Sequence, residues 1–190
     1  MTLVYRLLIP AMWISWAGYW WLASRSAKLT SRREHISSRL QHVLPLLLAV
    51  GLLWADKVPG SFLNERMFPW APWEFWVAAL VTAVGMLVSV WARVHLGGNW
   101  SGIVTIKHAH ELITNGPYAI VRHPIYTGLL VAFVGSAMAR GEWRGLLAVL
   151  IAWTALWRKL RLEERWMAEY FGTQYEDYCR RVPALVPFWK

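Results

Sequence analysis

The sequence predicts an all-α, polytopic integral membrane protein with about five transmembrane helices, a C-terminal helical hairpin and a pocket on the cytosolic side. Three observations carry this. Of 190 residues, 57% are hydrophobic and 15 are Trp, more than a water-soluble core of that size uses. Long apolar runs recur, separated by short polar breaks. The formal charge of +9 is scattered between those runs instead of forming one basic face, which argues against nucleic acid as a partner and fits anionic lipid headgroups. The single cysteine, Cys179, excludes an intramolecular disulfide and a thiolate metal cluster.

The first run, Leu3 to Ala23, is apolar for about 21 residues apart from Arg6, enough to cross a hydrocarbon layer at the helical rise. It is too long and Trp-rich for a cleaved leader, and its positive cluster, Arg25, Lys28, Arg32, Arg33 and Arg39, follows it. Leu40 to Ala55 is a second, shorter run, and Asp56 to Trp70, with Pro59, Gly60 and Pro69, reads as a loop. Pro72 suits the first turn of a third helix through Val94, with Glu74 and Arg93 placed to complement its dipole. Leu96 to Ser101 ends that helix, with Asn99 and Trp100 read as its cap and interfacial anchor. Ile103 to Lys107 is β-like, though too short and isolated to promise a sheet.

Two apolar helices follow, Ile125 to Ala139 and Trp143 to Trp157, joined by Arg140-Gly141-Glu142 as a hairpin. Gly128, Gly135, Ser136 and Ala139 let its arms, or a neighbouring helix, approach closely. The second arm continues in helical propensity past Arg158 to Met167, and Gly172 stops it. The tail, with Tyr175, Tyr178, Val182, Pro183 and Pro187, reads as a proline-stiffened strap. Residues 1–95 form the N-terminal helices and 96–190 the region that carries the chemistry, within one membrane domain. Five crossings put the Arg25–Arg39 loop, the Arg93–Arg122 connector and the tail on the side richer in Lys and Arg, the cytoplasmic side by the positive-inside rule.

The polar residues concentrate on that side. Gly116 to Gly128 holds Tyr118, Arg122, His123 and Tyr126 between apolar runs; Pro124 pushes His123 out of helical backbone and suits the start of a helix, whose N-terminus favours negative charge. Glu163 and Glu164 point about 100° apart on a helix, so they are not a facing acid/base pair. They read either as ligand-holding groups or as a solvated face with Lys159 and Arg161 one turn away. His108, His110 and His123 lack an acidic partner at metal-ligand spacing, so no metal site is expected. No dinucleotide or phosphate loop and no nucleophile elbow is present.

Taken together, Gly97-Gly98-Asn99-Trp100-Ser101, His110-Glu111-Leu112-Ile113, Gly116-Pro117-Tyr118, Arg122-His123-Pro124-x-Tyr126-x-Gly128, Glu163-Glu164 and Phe171-Gly172-x-x-Tyr175-x-x-Tyr178 with Val182-Pro183 resemble the isoprenylcysteine carboxyl methyltransferases and their bacterial relatives. The resemblance covers about the C-terminal half. It implies an integral membrane enzyme of a bacterial inner membrane that binds S-adenosylmethionine from the cytoplasm and methylates a lipophilic small molecule or lipidated acceptor. By the same resemblance His110, Glu111, Leu112, Ile113, Tyr118, His123, Pro124, Ile125 and Tyr126 contact the cofactor, and Glu163 or Glu164 holds its amino-acid end. Lys159, where eukaryotic members have arginine, or Arg161 orients the substrate, and Arg122 and His123 are the further catalytic candidates. Carboxyl O-methylation is the first expectation, with phospholipid N-methylation, a nicotinamide-dependent sterol-type reductase and a membrane assembly factor as alternatives. Against the reductase, Leu129 stands where those enzymes place an acidic residue.

Overall fold

The computed structural model describes residues 3–26, 28, 30–60, 62–69, 71–100, 104–107 and 111–188. Six helices dominate: α1 (Leu3–Ala23), α2 (Ile36–Trp54), α3 (Pro72–Leu96), α4 (Pro124–Arg140), α5 (Trp143–Phe171) and α6 (Thr173–Arg181). Local chemistry sets their ends. Pro72 and Pro124 occupy the first turns of α3 and α4, where a missing N–H costs nothing. Gly141 (φ 65°) ends α4 and Gly172 (φ 55°) ends α5, in backbone that a side chain would strain.

Contacts at the two ends show that successive helices alternate in direction. Arg93, near the end of α3, donates to the carbonyl of Ala23, the last residue of α1. At the opposite end Arg140 and Arg144, from the end of α4 and the start of α5, both donate to the Ala55 carbonyl just past α2. α4 packs most tightly on α3 rather than on its hairpin partner. A Cβ on Gly128 would lie 2.5 Å from the Gly85 oxygen, and one on Gly135 2.5 Å from the Thr82 nitrogen, so the two backbones touch as small-residue packing allows. α1 is tied across them by indole N–H bonds, Trp13 to Ser136 (3.0 Å) and Trp16 to Ser89 (2.8 Å).

The outer face of α3 exposes Trp73, Val77, Leu80, Val84, Leu87, Trp91 and Val94, a stripe at alternating spacings of four and three, with Trp76 beside it. Leu44, Leu47 and Leu48 of α2 and Leu146, Leu150, Trp153 and Trp157 of α5 extend this apolar belt. Withdrawing one such side chain from water is worth roughly 1.5–3 kcal/mol, so the stripe on α3 alone rivals a domain's whole net stability. The belt is a lipid-facing surface. Among the described residues two segments are long and apolar enough to cross a membrane, α2 and the run from Pro72 through Asn99; α4 is a shorter apolar helix.

Two expectations need correction. Residues 105–107 are not isolated: β2 (Thr105–Lys107) pairs antiparallel with β1 (Thr30–Arg33), with Arg33 opposite Thr105. β1 is a basic stretch with no alternating apolar pattern, which is why the pairing was not visible. The tail is not a strap throughout, because residues 173–181 form α6, with Tyr175 and Tyr178 turned inward one turn apart. Extended backbone begins at Val182.

Candidate functional site

The end of the bundle that carries α6 encloses a cavity of about 210 Å³. Its polar wall comes from α4 and α5. The Tyr126 hydroxyl donates to Glu163 Oε1 (2.6 Å), and the His123 and Tyr126 rings lie parallel, 5.5 Å between centroids. His123 sits between two carboxylates, with Nδ1 3.7 Å from Glu163 Oε2 and Nε2 3.3 Å from Glu164 Oε1. The Lys159 ammonium lies 5.3 Å from the centre of the Tyr126 ring, within cation–π range.

Arg122 builds the support behind this wall. Its Nε and Nη2 both donate to Glu164 Oε1 (2.9 and 2.6 Å), and Nη1 reaches the carbonyls of Cys179 and Val182. The Arg122 and His123 amides donate to the Pro183 and Ala184 carbonyls (2.8 and 3.0 Å), and the Thr127 hydroxyl to that of Leu185 (2.7 Å). Residues 182–185 are thereby laced to the turn preceding α4. Burial opposes charge on Glu164, but the hydrogen bonds from His123 and Arg122 and the charge of the guanidinium outweigh it and hold its carboxyl below the usual range. Burial likewise opposes charge on Arg122, and Glu164 reverses the balance, pushing the guanidinium up. The Tyr118 phenol is raised by burial and then by the Glu163 charge, so it remains a neutral hydroxyl.

The rest of the lining is more apolar. Leu112 and Ile113 come from the connector, Val104 and Thr105 from the β2 end, Trp166 and Met167 from α5, and Trp16 and Trp20 from α1. Trp16 and Trp20 stack at 4.4 Å, and Trp100 meets Trp20 edge-on at 5.7 Å. The Tyr178 hydroxyl donates to the Tyr118 carbonyl (2.6 Å), which fixes the turn that presents Tyr118. The side-chain oxygens Asn99 Oδ1 and Thr105 Oγ1 are buried and have no hydrogen-bond partner among the described residues, although both residues line the cavity.

Of the residues expected at a site, Glu111, Leu112, Ile113, Tyr118, Arg122, His123, Ile125, Tyr126, Lys159 and Glu163 line this cavity. Glu164 stands behind them, engaged by Arg122 and His123. Pro124 is buried at the first position of α4 without lining the cavity, and Arg161 is exposed on the outer face of α5. His110 lies outside the described residues. Asn99 and Trp100 are corrected: rather than capping and anchoring α3 at an interface they are buried on the cavity wall, with the Arg93 guanidinium 4.5 Å from the Trp100 ring and Asn99 Nδ2 3.3 Å from Glu111. Sequence reasoning missed Trp16, Trp20, Val104, Thr105, Trp166 and Met167 as wall residues. Tyr175 and Tyr178 were visible in the tail motif but were not assigned to a site.

Apolar helices with a lipid-facing belt, gathered at one end around a cavity lined by carboxylates and tryptophans, define a helical membrane protein with a candidate binding cavity. The backbone matches the solved structure of the eukaryotic intramembrane Ras methyltransferase, isoprenylcysteine carboxyl methyltransferase, with TM-score 0.58 and 22% identity over 80% of this chain and 50% of that one. The family model for phospholipid methyltransferase matches residues 73–174, and the chain belongs to that family. Its relatives include protein-S-isoprenylcysteine O-methyltransferase B of Arabidopsis thaliana, 28% identical over 64% of each chain, and the Schizosaccharomyces pombe protein-S-isoprenylcysteine O-methyltransferase, 36% identical over 50% of this chain and 42% of that one. The chain thus spans less than two thirds of either relative. The resemblance to the isoprenylcysteine methyltransferases drawn from the sequence holds.

Proposed function

We propose that this protein is an S-adenosylmethionine-dependent membrane methyltransferase acting on a lipid-soluble or lipidated acceptor, by carboxyl O-methylation of an isoprenylcysteine-like group. Five crossings of a bacterial inner membrane, with the cavity toward the cytoplasm, complete the reading; the alternating helices and the basic residues at the cavity end support it. The observation that carries the assignment is Glu163, a carboxylate fixed by the Tyr126 hydroxyl on the wall of a cavity rich in Trp and Tyr.

The residues fit such a cofactor. Glu163 offers a negative partner for its ammonium group. Asn99 Oδ1 and Thr105 Oγ1, buried and unpartnered among the described residues, offer acceptors to a polar ligand, because leaving such atoms unmet costs about 1–3 kcal/mol each. Trp100, Tyr118 and Trp166 supply flat faces. When bound, S-adenosylmethionine would supply a sulfonium methyl group for in-line attack by an acceptor oxygen, an O–C bond forming as the C–S bond breaks and its electron pair stays on the departing thioether sulfur.

The protein's own part is alignment and exclusion of water. Lys159 places a point charge beside Tyr126, where it attracts an acceptor carboxylate without gripping it in two places as an arginine would. A carboxylate acceptor needs no base. The name of the matching family favours a second reading, N-methylation of a phospholipid amine, for which His123 between two carboxylates is placed to take the proton. Titrating S-adenosylhomocysteine against the purified protein tests the cofactor; saturable binding that Glu163→Gln weakens supports it, and no saturable binding overturns it. Labelling lipid extracts with a methyl-labelled cofactor separates ester from amine products.

A further inference from the structure

Glu34 lies outside the region matched by the family and outside every motif singled out in the sequence, yet it is deeply buried. Its side chain is 1% exposed and that of its neighbour His42 2%. The Glu34 amide donates to the Val104 carbonyl (3.0 Å), and Glu34 Oε1 accepts from the Val104 amide (3.1 Å), so one residue satisfies both polar groups of Val104. The same oxygen lies 3.5 Å from His42 Nε2.

The other side of the imidazole settles where its proton sits. Arg158 Nη1, which can only donate, is 3.4 Å from His42 Nδ1, so Nδ1 accepts and Nε2–H faces Glu34. Arg158 is itself fixed by the Ser38 carbonyl (3.1 Å). A chain of polar contacts, buried at His42 and Glu34, therefore runs from α5 through α2 to Val104. At its two ends stand cavity residues: Lys159 follows Arg158 in the chain, and Val104 and Thr105 form part of the wall, with Thr105 Oγ1 buried and unpartnered among the described residues. The described part of the connector after α3 has one strand, β2, and its partner is β1, the strand that leads into Glu34. Moving Val104 would move the Thr105 hydroxyl with it.

We infer that Glu34 is a positioning residue for the cavity, holding the Val104–Thr105 wall in place through paired contacts to Val104, so that the N-terminal segment is part of the binding site and not merely a membrane anchor. The inference rests on the reading of the cavity as an S-adenosylmethionine site. Its test is S-adenosylhomocysteine affinity of the full-length protein in detergent, together with amide hydrogen exchange at Val104 in the ligand-free protein. Glu34→Ala removes the acceptor and should weaken binding at least about tenfold, the scale of losing one hydrogen bond to a charged group, and speed exchange at Val104. Glu34→Gln keeps an oxygen in the same place and should restore both to near wild type, which a role in charge balance alone would not. If Glu34→Ala does not fold, Glu34→Asp, which keeps the charge and shortens the reach, should show the same loss against Glu34→Gln. Binding within twofold of wild type in every folded variant, or unchanged Val104 exchange in Glu34→Ala and Glu34→Asp, overturns the inference. Wild-type protein that fails to bind S-adenosylhomocysteine overturns the cofactor reading instead, and exchange at Val104 then decides separately whether Glu34 holds the wall.

Discussion

The two ends of the helical bundle are built from the same parts and do different things. At the end away from the cavity, Arg144 is 1% exposed, donates to Glu142 (2.6 Å) and to the carbonyls of Ala55 and Asp56, and is joined by Arg140 on Ala55. At the cavity end, Arg122 pairs with Glu164 and reaches the carbonyls of Cys179 and Val182. Each arginine is occupied in closing the backbone, with a carboxylate to balance its charge. The cavity end differs in having a second carboxylate, Glu163, which the helical twist turns away from Arg122 and toward the open space. An Arg–Glu pair therefore holds backbone at both ends, and what sets the cavity end apart is the neighbouring acid that the pair leaves over.

The comparison can be broken most forcefully at the closed end. Arg144→Met removes the more buried of the two arginines that serve Glu142 and the Ala55 and Asp56 carbonyls, leaving Arg140 alone on all three, and should destabilise the protein by about 3 kcal/mol, read as a fall in unfolding midpoint, while the folded fraction binds S-adenosylhomocysteine as wild type does. Equal loss of binding would mean that the ends are not separable. Glu163→Gln should do the reverse, weakening S-adenosylhomocysteine by roughly 10- to 100-fold, about 1.5–3 kcal/mol, with little change in melting. Tyr126→Phe frees the Glu163 carboxylate to turn and should cost about 0.5–1.5 kcal/mol of binding, measured by the same titration.

The smallest effect concerns acid. Glu164 has its folded pKa below the unfolded value, so the stability it contributes is present above the ordinary carboxylate pKa and fades as pH falls through the lowered one. Unfolding followed from neutral pH to about pH 3 should therefore fall less steeply in Glu164→Gln than in wild type. Identical slopes would show that the Arg122–Glu164 pair carries no such linkage.

Much of the frame was legible because local rules decide it. Pro72 and Pro124 announced two helix starts, Gly141 and Gly172 two ends, and the apolar runs between them left little choice. The gathering of Tyr118, His123, Tyr126 and Glu163 around one cavity was expected from the family resemblance, whereas the residues alone left Glu163 open between a ligand-holding group and a solvated helix face. What stayed hidden depends on contacts distant in sequence. Trp16 and Trp20 look like any lipid-facing residues until α1 crosses the bundle, and Glu34 looks like an exposed acid in a basic loop until β1 finds β2. Asn99 resembles a cap because capping is local chemistry, whereas its place on the wall is set by the connector that folds back beside it.

The lacing of residues 182–185 onto the turn before α4 also dictates an order of assembly. The Arg122 and His123 amides find their acceptors at Pro183 and Ala184, some sixty residues further along the chain, so the turn that presents His123 is finished only when that late segment folds back on it. A chain cut before Val182 would keep the sequence of all six helices and yet leave the turn before α4 without its partners, so the late segment serves the shape of the cavity and not the bundle alone.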